Sequence, residues 1–168
     1  MADKLLQVRP QDTRCSLKTK YVFALYGPAN VGKSATLKKV FALLTDAYPT
    51  ASVQTLDRPG MDITVTIDIT VIIEINGILV GIESQGDPNG RLAESIELFK
   101  KAKCGIIVCA TRTSGSTVTI VKNLQPEFTL VWTRKTSEPQ ANLRERRDDA
   151  IAQIIFNQIQ NALKALTN

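Results

Sequence analysis

The residues best suited to chemistry stand close together near the start of the chain, in GPANVGKS at 27–34. Gly27 permits backbone angles that a side chain would forbid, and Gly32 lets the chain come close to an anion. Between them lie Pro28, Ala29, Asn30 and Val31, and directly after them Lys33, Ser34 and Ala35. An apolar strand pattern enters this stretch and a helical pattern leaves it. The loop amides and the first helical turn are therefore expected to point at a common centre, where the helix N-terminus adds partial positive charge. Such a centre suits a phosphate chain. Lys33 would reach its outer phosphates and Ser34 would hold Mg2+ through its hydroxyl. Phosphoryl transfer is catalysed largely by positioning and charge neutralisation, which makes Lys33 a candidate catalytic group.

Positioning those residues requires a scaffold, and its elements follow from periodicity. KYVFALY at 20–26 is short, apolar and closed by glycine, as a buried strand would be. A helix is predicted from Lys33 to about Ala47, with Leu37, Val40, Phe41 and Leu44 at helical spacing. Turn-rich residues 48–62 read as a loop. Val65, Ile67, Ile69, Val71, Ile73 and Ile75 then alternate with polar residues, predicting a strand with one buried face. Asn76-Gly77, the pair favoured in two-residue hairpin turns, leads into a second strand at 78–83. A helix at about 91–102 shows Leu92, Ile96 and Phe99 on one side, and apolar strands follow at 104–110 and 128–133. A short helix is assigned between those two strands, because parallel strands need a crossover. The last helix, about 141–166, carries the stripe Ile151, Ile154, Ile155, Ile159, Leu163 and Leu166. The expected fold is α/β: a three-layer α/β/α sandwich whose mostly parallel sheet has about five strands and one antiparallel edge strand. It occupies 20–168 as one domain, after an N-terminal extension at 1–19.

Composition narrows the partners. A chain of 168 residues with 43% hydrophobic and 22% charged residues suits a single globular domain with a real core. No run approaches the roughly 18 apolar residues of a membrane span, and the first residues lack the apolar core of a signal peptide, so a cytoplasmic protein is expected. The three cysteines (Cys15, Cys104, Cys109) form no metal-like cluster and are expected to be reduced. The net charge of +5 is scattered, apart from a short cluster at Arg144, Arg146 and Arg147, so nucleic acid is left without support as a partner. The chain has no histidine, so any general base must be a carboxylate, a lysine or the substrate.

Gly27, Gly32, Lys33 and Ser34 match G-x-x-x-x-G-K-[ST] at every fixed position. With a strand before and a helix after, the chain resembles the P-loop NTPase superfamily. The hairpin ahead of an acidic loop makes it most similar to small GTPase-like domains. The resemblance implies a nucleoside triphosphate ligand with Mg2+. In ILVGIESQGD it puts Glu83 in place of the family's magnesium-binding Asp and Gly86 in place of the glycine whose amide meets the terminal phosphate. Asp87 or Gln85 would orient the attacking water, with turn capping an equal role for Asp87. Thr50, Thr55, Thr64 and Arg58 fall where a first switch loop would contact phosphate. Thr133-Arg134-Lys135-Thr136 replaces the guanine-reading motif and carries no acid for the guanine edge, although the stems of Arg134 and Lys135 could flank a purine. ATP is therefore favoured, with GTP an alternative. The resemblance implies an NTPase coupled to a protein partner, the last helix either docking that partner or covering the sheet. The alternatives are a kinase, with Arg112 and the arginine cluster closing on phosphates, and a scaffold that binds nucleotide with little hydrolysis.

Overall fold

The computed structural model describes residues 19–56 and 68–168. In chain order its elements are β1 (Lys20–Tyr26), α1 (Lys33–Ala47), β2 (Ser52–Thr55), β3 (Thr70–Ile75), β4 (Ile78–Glu83), α2 (Leu92–Lys101), β5 (Ile106–Thr111), α3 (Ser116–Lys122), β6 (Phe128–Arg134) and α4 (Ala141–Thr167). The strands form one mixed sheet of six in the order β2-β3-β4-β5-β1-β6. β1 runs parallel to β5 and β6, and β4 runs parallel to β5. β3 runs antiparallel to both of its neighbours, β2 and β4.

Two hydrophobic layers sandwich this sheet. On one face, Leu37, Val40 and Leu44 of α1 and Ile155, Ile159 and Leu163 of α4 meet the sheet. On the other, Leu92, Ile96 and Phe99 of α2 and Val121 of α3 meet Val22, Ala24, Ile107 and Cys109. A central parallel strand must be apolar on both sides, which is why every residue of β5 is buried. Asn76 and Gly77 both take positive φ, 51° and 78°, as the hairpin turn between β3 and β4 requires.

Four expectations need correction. The sheet has six strands rather than about five, because β2 lies within the stretch read as a loop. The antiparallel strand β3 is internal, and β2 covers its outer side as the edge strand. β3 also buries both faces: Val71 and Ile73 enter one layer, Ile72 enters the other, and Thr70 is buried beside it. In α4 the buried stripe is as expected, except that Ile154 is 50% exposed. Its neighbour Ile155 faces the core, and one residue turns a helix by about 100°. The strand expected from Val65 is seen from Thr70 onward; residues 1–18 and 57–67, with Cys15, Arg58 and Thr64, lie outside the described residues. No helix among the described residues is long and apolar enough to cross a membrane.

Candidate functional site

β1, β4 and β5 end on the same side of the sheet, and β5 stands between the other two. Neighbouring strands are about 4.8 Å apart, so the loops leaving β1 and β4 start roughly 10 Å from each other. Between them lies a cleft of about 550 Å³ lined by Lys33, Ser34, Asp68, Ser84, Gln85 and Asp87, among others. Crevices at the carboxyl ends of parallel strands are the usual ligand sites of such sheets.

The loop 27–32 is fixed at both glycines. The Gly27 N–H donates to the Thr111 carbonyl at 3.3 Å, and a Cβ on Gly27 would stand 2.2 Å from the Lys135 carbonyl oxygen. Gly32 takes φ +83° and begins α1 without a side-chain cap or an acidic residue in the first turn. The 15-residue helix thus starts with no cap from its own first turn, and the carboxylates nearest its N-terminus are Asp148, behind Gly32, and Asp68, on Ser34. The Lys33 ammonium folds back to donate to the carbonyls of Gly27 (3.0 Å) and Pro28. Burial, and then the charge of Arg112, push the Lys33 pKa down, while Asp87 opposes them.

Ser34 does not face the acid expected of it. Its hydroxyl donates to Asp68 Oδ1 at 2.7 Å and lies 3.0 Å from the Ser84 carbonyl, while Ser84 Oγ accepts from the Ile69 N–H at 2.8 Å. Glu83 is fully buried behind this wall. Its carboxylate accepts hydrogen bonds from Thr70 (2.7 Å), Ser95 and the Gln85 N–H (2.8 Å). Burial raises its pKa, partly offset by those hydrogen bonds and by Arg91. Asp68, not Glu83, is therefore the carboxylate beside Ser34, and Glu83 ties β3, β4 and α2 together. Gln85 lines the cleft, but its carboxamide oxygen accepts from the backbone and side chain of Arg91, both at 3.3 Å. Asp87 also lines the cleft, and its Oδ1 accepts from two nitrogens of Arg112, at 2.8 and 3.1 Å. A Cβ on Gly86 would lie 2.7 Å from the Ala110 carbonyl carbon, so only glycine lets this loop rest on the end of β5.

A second cleft, of about 370 Å³, lies across the glycine loop from the first and shares Asn30 and Gly32 with it. Its other walls include Val31, the segment 135–139 and residues Arg144, Arg147 and Asp148. Lys135 is 1% exposed and paired with Asp148, so it cannot lay an open stem against a ring as expected. Both side chains pack behind Gly32, where an added Cβ would lie 3.4 Å from Asp148 and 3.5 Å from Lys135. Arg134 is exposed and lines neither cleft, and the same holds for Pro28, Ala29 and Thr50. Thr55 is half-buried on β2, away from both. Arg144 donates to the carbonyls of Glu138 and Pro139, and Arg147 pairs with the Glu138 carboxylate, so both hold the 137–139 segment to α4.

Among the described residues, no three acidic, cysteine or histidine side chains gather as a metal site. A hard cation in the first cleft would take the oxygens of Ser34 and Asp68 and complete its shell with water and phosphate oxygens. Asp68 and Asp148 were hidden in sequence: one reads as a polar position of an alternating strand, the other as one charge on a charged helix face. Comparisons with protein-family models, curated proteins and solved structures find no match for this chain.

Proposed function

We propose that the chain is a P-loop protein that binds a Mg2+–nucleoside triphosphate, ATP in preference to GTP, and hydrolyses it. The observation that carries this reading is the placing of two clefts on either side of one glycine loop, sharing Asn30 and Gly32, with Lys33 and the N-terminus of α1, which no side chain caps, on the larger side. A nucleoside in the second cleft would send its phosphates over the loop into the first. Lys33 would exchange its bonds to the Gly27 and Pro28 carbonyls for phosphate oxygens, gaining anionic partners for a charge the fold now disfavours. Ser34 and Asp68 would hold the cation, which supplies neutralisation of the phosphate charge when bound.

The walls of the second cleft favour ATP or relaxed base choice. Its two carboxylates are already engaged, Glu138 by Arg147 and Asp148 by Lys135, and neither is free for a guanine edge. Contacts of the 85–87 segment with a terminal phosphate would give that segment two states, and a protein partner could read the difference. The arginine lid of a phosphotransferase gains no support, because Arg144 and Arg147 hold the 137–139 segment. Incubation of the protein with Mg2+ and terminally labelled ATP or GTP tests the reading. Free labelled phosphate without an added acceptor is expected, faster with ATP. Release only upon addition of an acceptor would establish a phosphotransferase instead, and tight binding without release a scaffold.

A further inference from the structure

The end of β5 forms the floor between the two loops, and the first side chain beyond it is Arg112. Its backbone is fixed there, since the Arg112 N–H donates to Thr117 Oγ1 at 3.0 Å and its carbonyl accepts from Thr111 Oγ1 at 2.9 Å. The guanidinium donates through two nitrogens to Oδ1 of Asp87, which lines the first cleft. Both charges act on Lys33, Arg112 lowering its pKa and Asp87 raising it, so the three groups share one electrostatic neighbourhood. A nucleotide entering over Asn30 and Gly32 would direct its phosphate chain towards the wall formed by Ser84, Gln85 and Asp87. Its last phosphate would meet a carboxylate that repels it and a guanidinium that attracts it.

Building on the triphosphate reading, we propose that Arg112 is a contact for the terminal phosphate and that Asp87 is its resident competitor, occupying the guanidinium until a triphosphate displaces it. The Asp87 side chain is 63% exposed, and ion pairs that open to water are weak. A phosphate carries more charge and more acceptor oxygens than a carboxylate, and it suits the same forked donor. The exchange would also release Asp87 beside the terminal phosphate, where a water could be held. A diphosphate would leave the pair closed, so the pair would distinguish triphosphate from diphosphate.

The two partners should act with opposite signs, which a merely structural ion pair would not do. Calorimetric titration with Mg2+–ATP, ADP and inorganic tripolyphosphate would compare the wild type with Arg112→Gln, Arg112→Lys, Asp87→Asn and the Arg112→Gln/Asp87→Asn double variant. Arg112→Gln should weaken ATP and tripolyphosphate by about tenfold, the loss of one charge-assisted contact, and should change ADP little. Arg112→Lys should recover part of that loss. Asp87→Asn should tighten both triphosphates, and the double variant should behave like Arg112→Gln. Equal ATP affinity in wild type and Arg112→Gln, or weaker ATP binding by Asp87→Asn at an unchanged unfolding temperature, would overturn the exchange while leaving the nucleotide reading intact. A wild type that binds none of the three ligands would overturn both.

Discussion

Glu83 is a carboxylate at the end of a central strand, and its surroundings give it a structural role with a pH signature. Burial holds its pKa above the usual glutamate range, so the folded chain keeps that proton to a higher pH than the unfolded chain does. The associated stability is present below the ordinary glutamate pKa and is lost as the pH rises through the raised value. Glu83→Gln should therefore flatten the decline in urea-unfolding free energy as the pH rises above the ordinary glutamate pKa. A decline of the same slope in both proteins would contradict this. Residue-level roles were unevenly legible in the sequence. Lys33 and Ser34 could be singled out because their spacing from two glycines is itself the requirement of the proposed chemistry. Glu83 could be seen as an acid, but not as one turned inward, because ILVGIE gives its strand two apolar faces and no alternation to set a direction. Asp68 could not be found from spacing at all, since only the pairing of β3 with β4 carries it to Ser34.

Among the elements, the β3–β4 hairpin and the packing of α2 on β4 depend on single residues in different ways. The hairpin was legible because Asn76-Gly77 satisfies a backbone requirement that few other pairs meet. Gly81 instead makes room for a ring, since a Cβ there would lie 2.6 Å from two ring atoms of Phe99, which is itself fully buried. Gly81→Ala should force the ring and α2 outward and cost about 1–3 kcal/mol, the usual range for overpacking. Denaturant unfolding would measure the loss, and a variant as stable as the wild type would show that α2 adjusts without strain. Edge strand β2 was not legible in the sequence, for a physical reason. Ser52, Val53 and Gln54 are all exposed, so β2 has no buried face to impose an alternating pattern, and its pairing with β3 defines it. α3 was legible mainly through topology, because two parallel strands required a crossover between them.

For the molecule as a whole, the sheet order matters more to the site than any one helix. Placing β5 between β1 and β4 separates the two loops between which the first cleft lies, and Arg112, just past β5, pairs with Asp87 on the cleft wall. The α/β class and the layers of helices followed from the alternation of apolar strands and amphipathic helices. The strand order did not, because β1, β4 and β5 are similar apolar runs and nothing local selects which become neighbours. The proposed phosphate binding accordingly rests on the loop and the two clefts it divides, and the hairpin adds only the frame. Its most direct test is calorimetric titration of Mg2+–ATP into the wild type and Lys33→Ala, with thermal unfolding to verify that both are folded. Saturable binding by the wild type is expected, with a loss of at least about tenfold in Lys33→Ala, as for removal of a charge-assisted phosphate contact. Equal affinity in the two proteins, or no binding by a folded wild type, would contradict it.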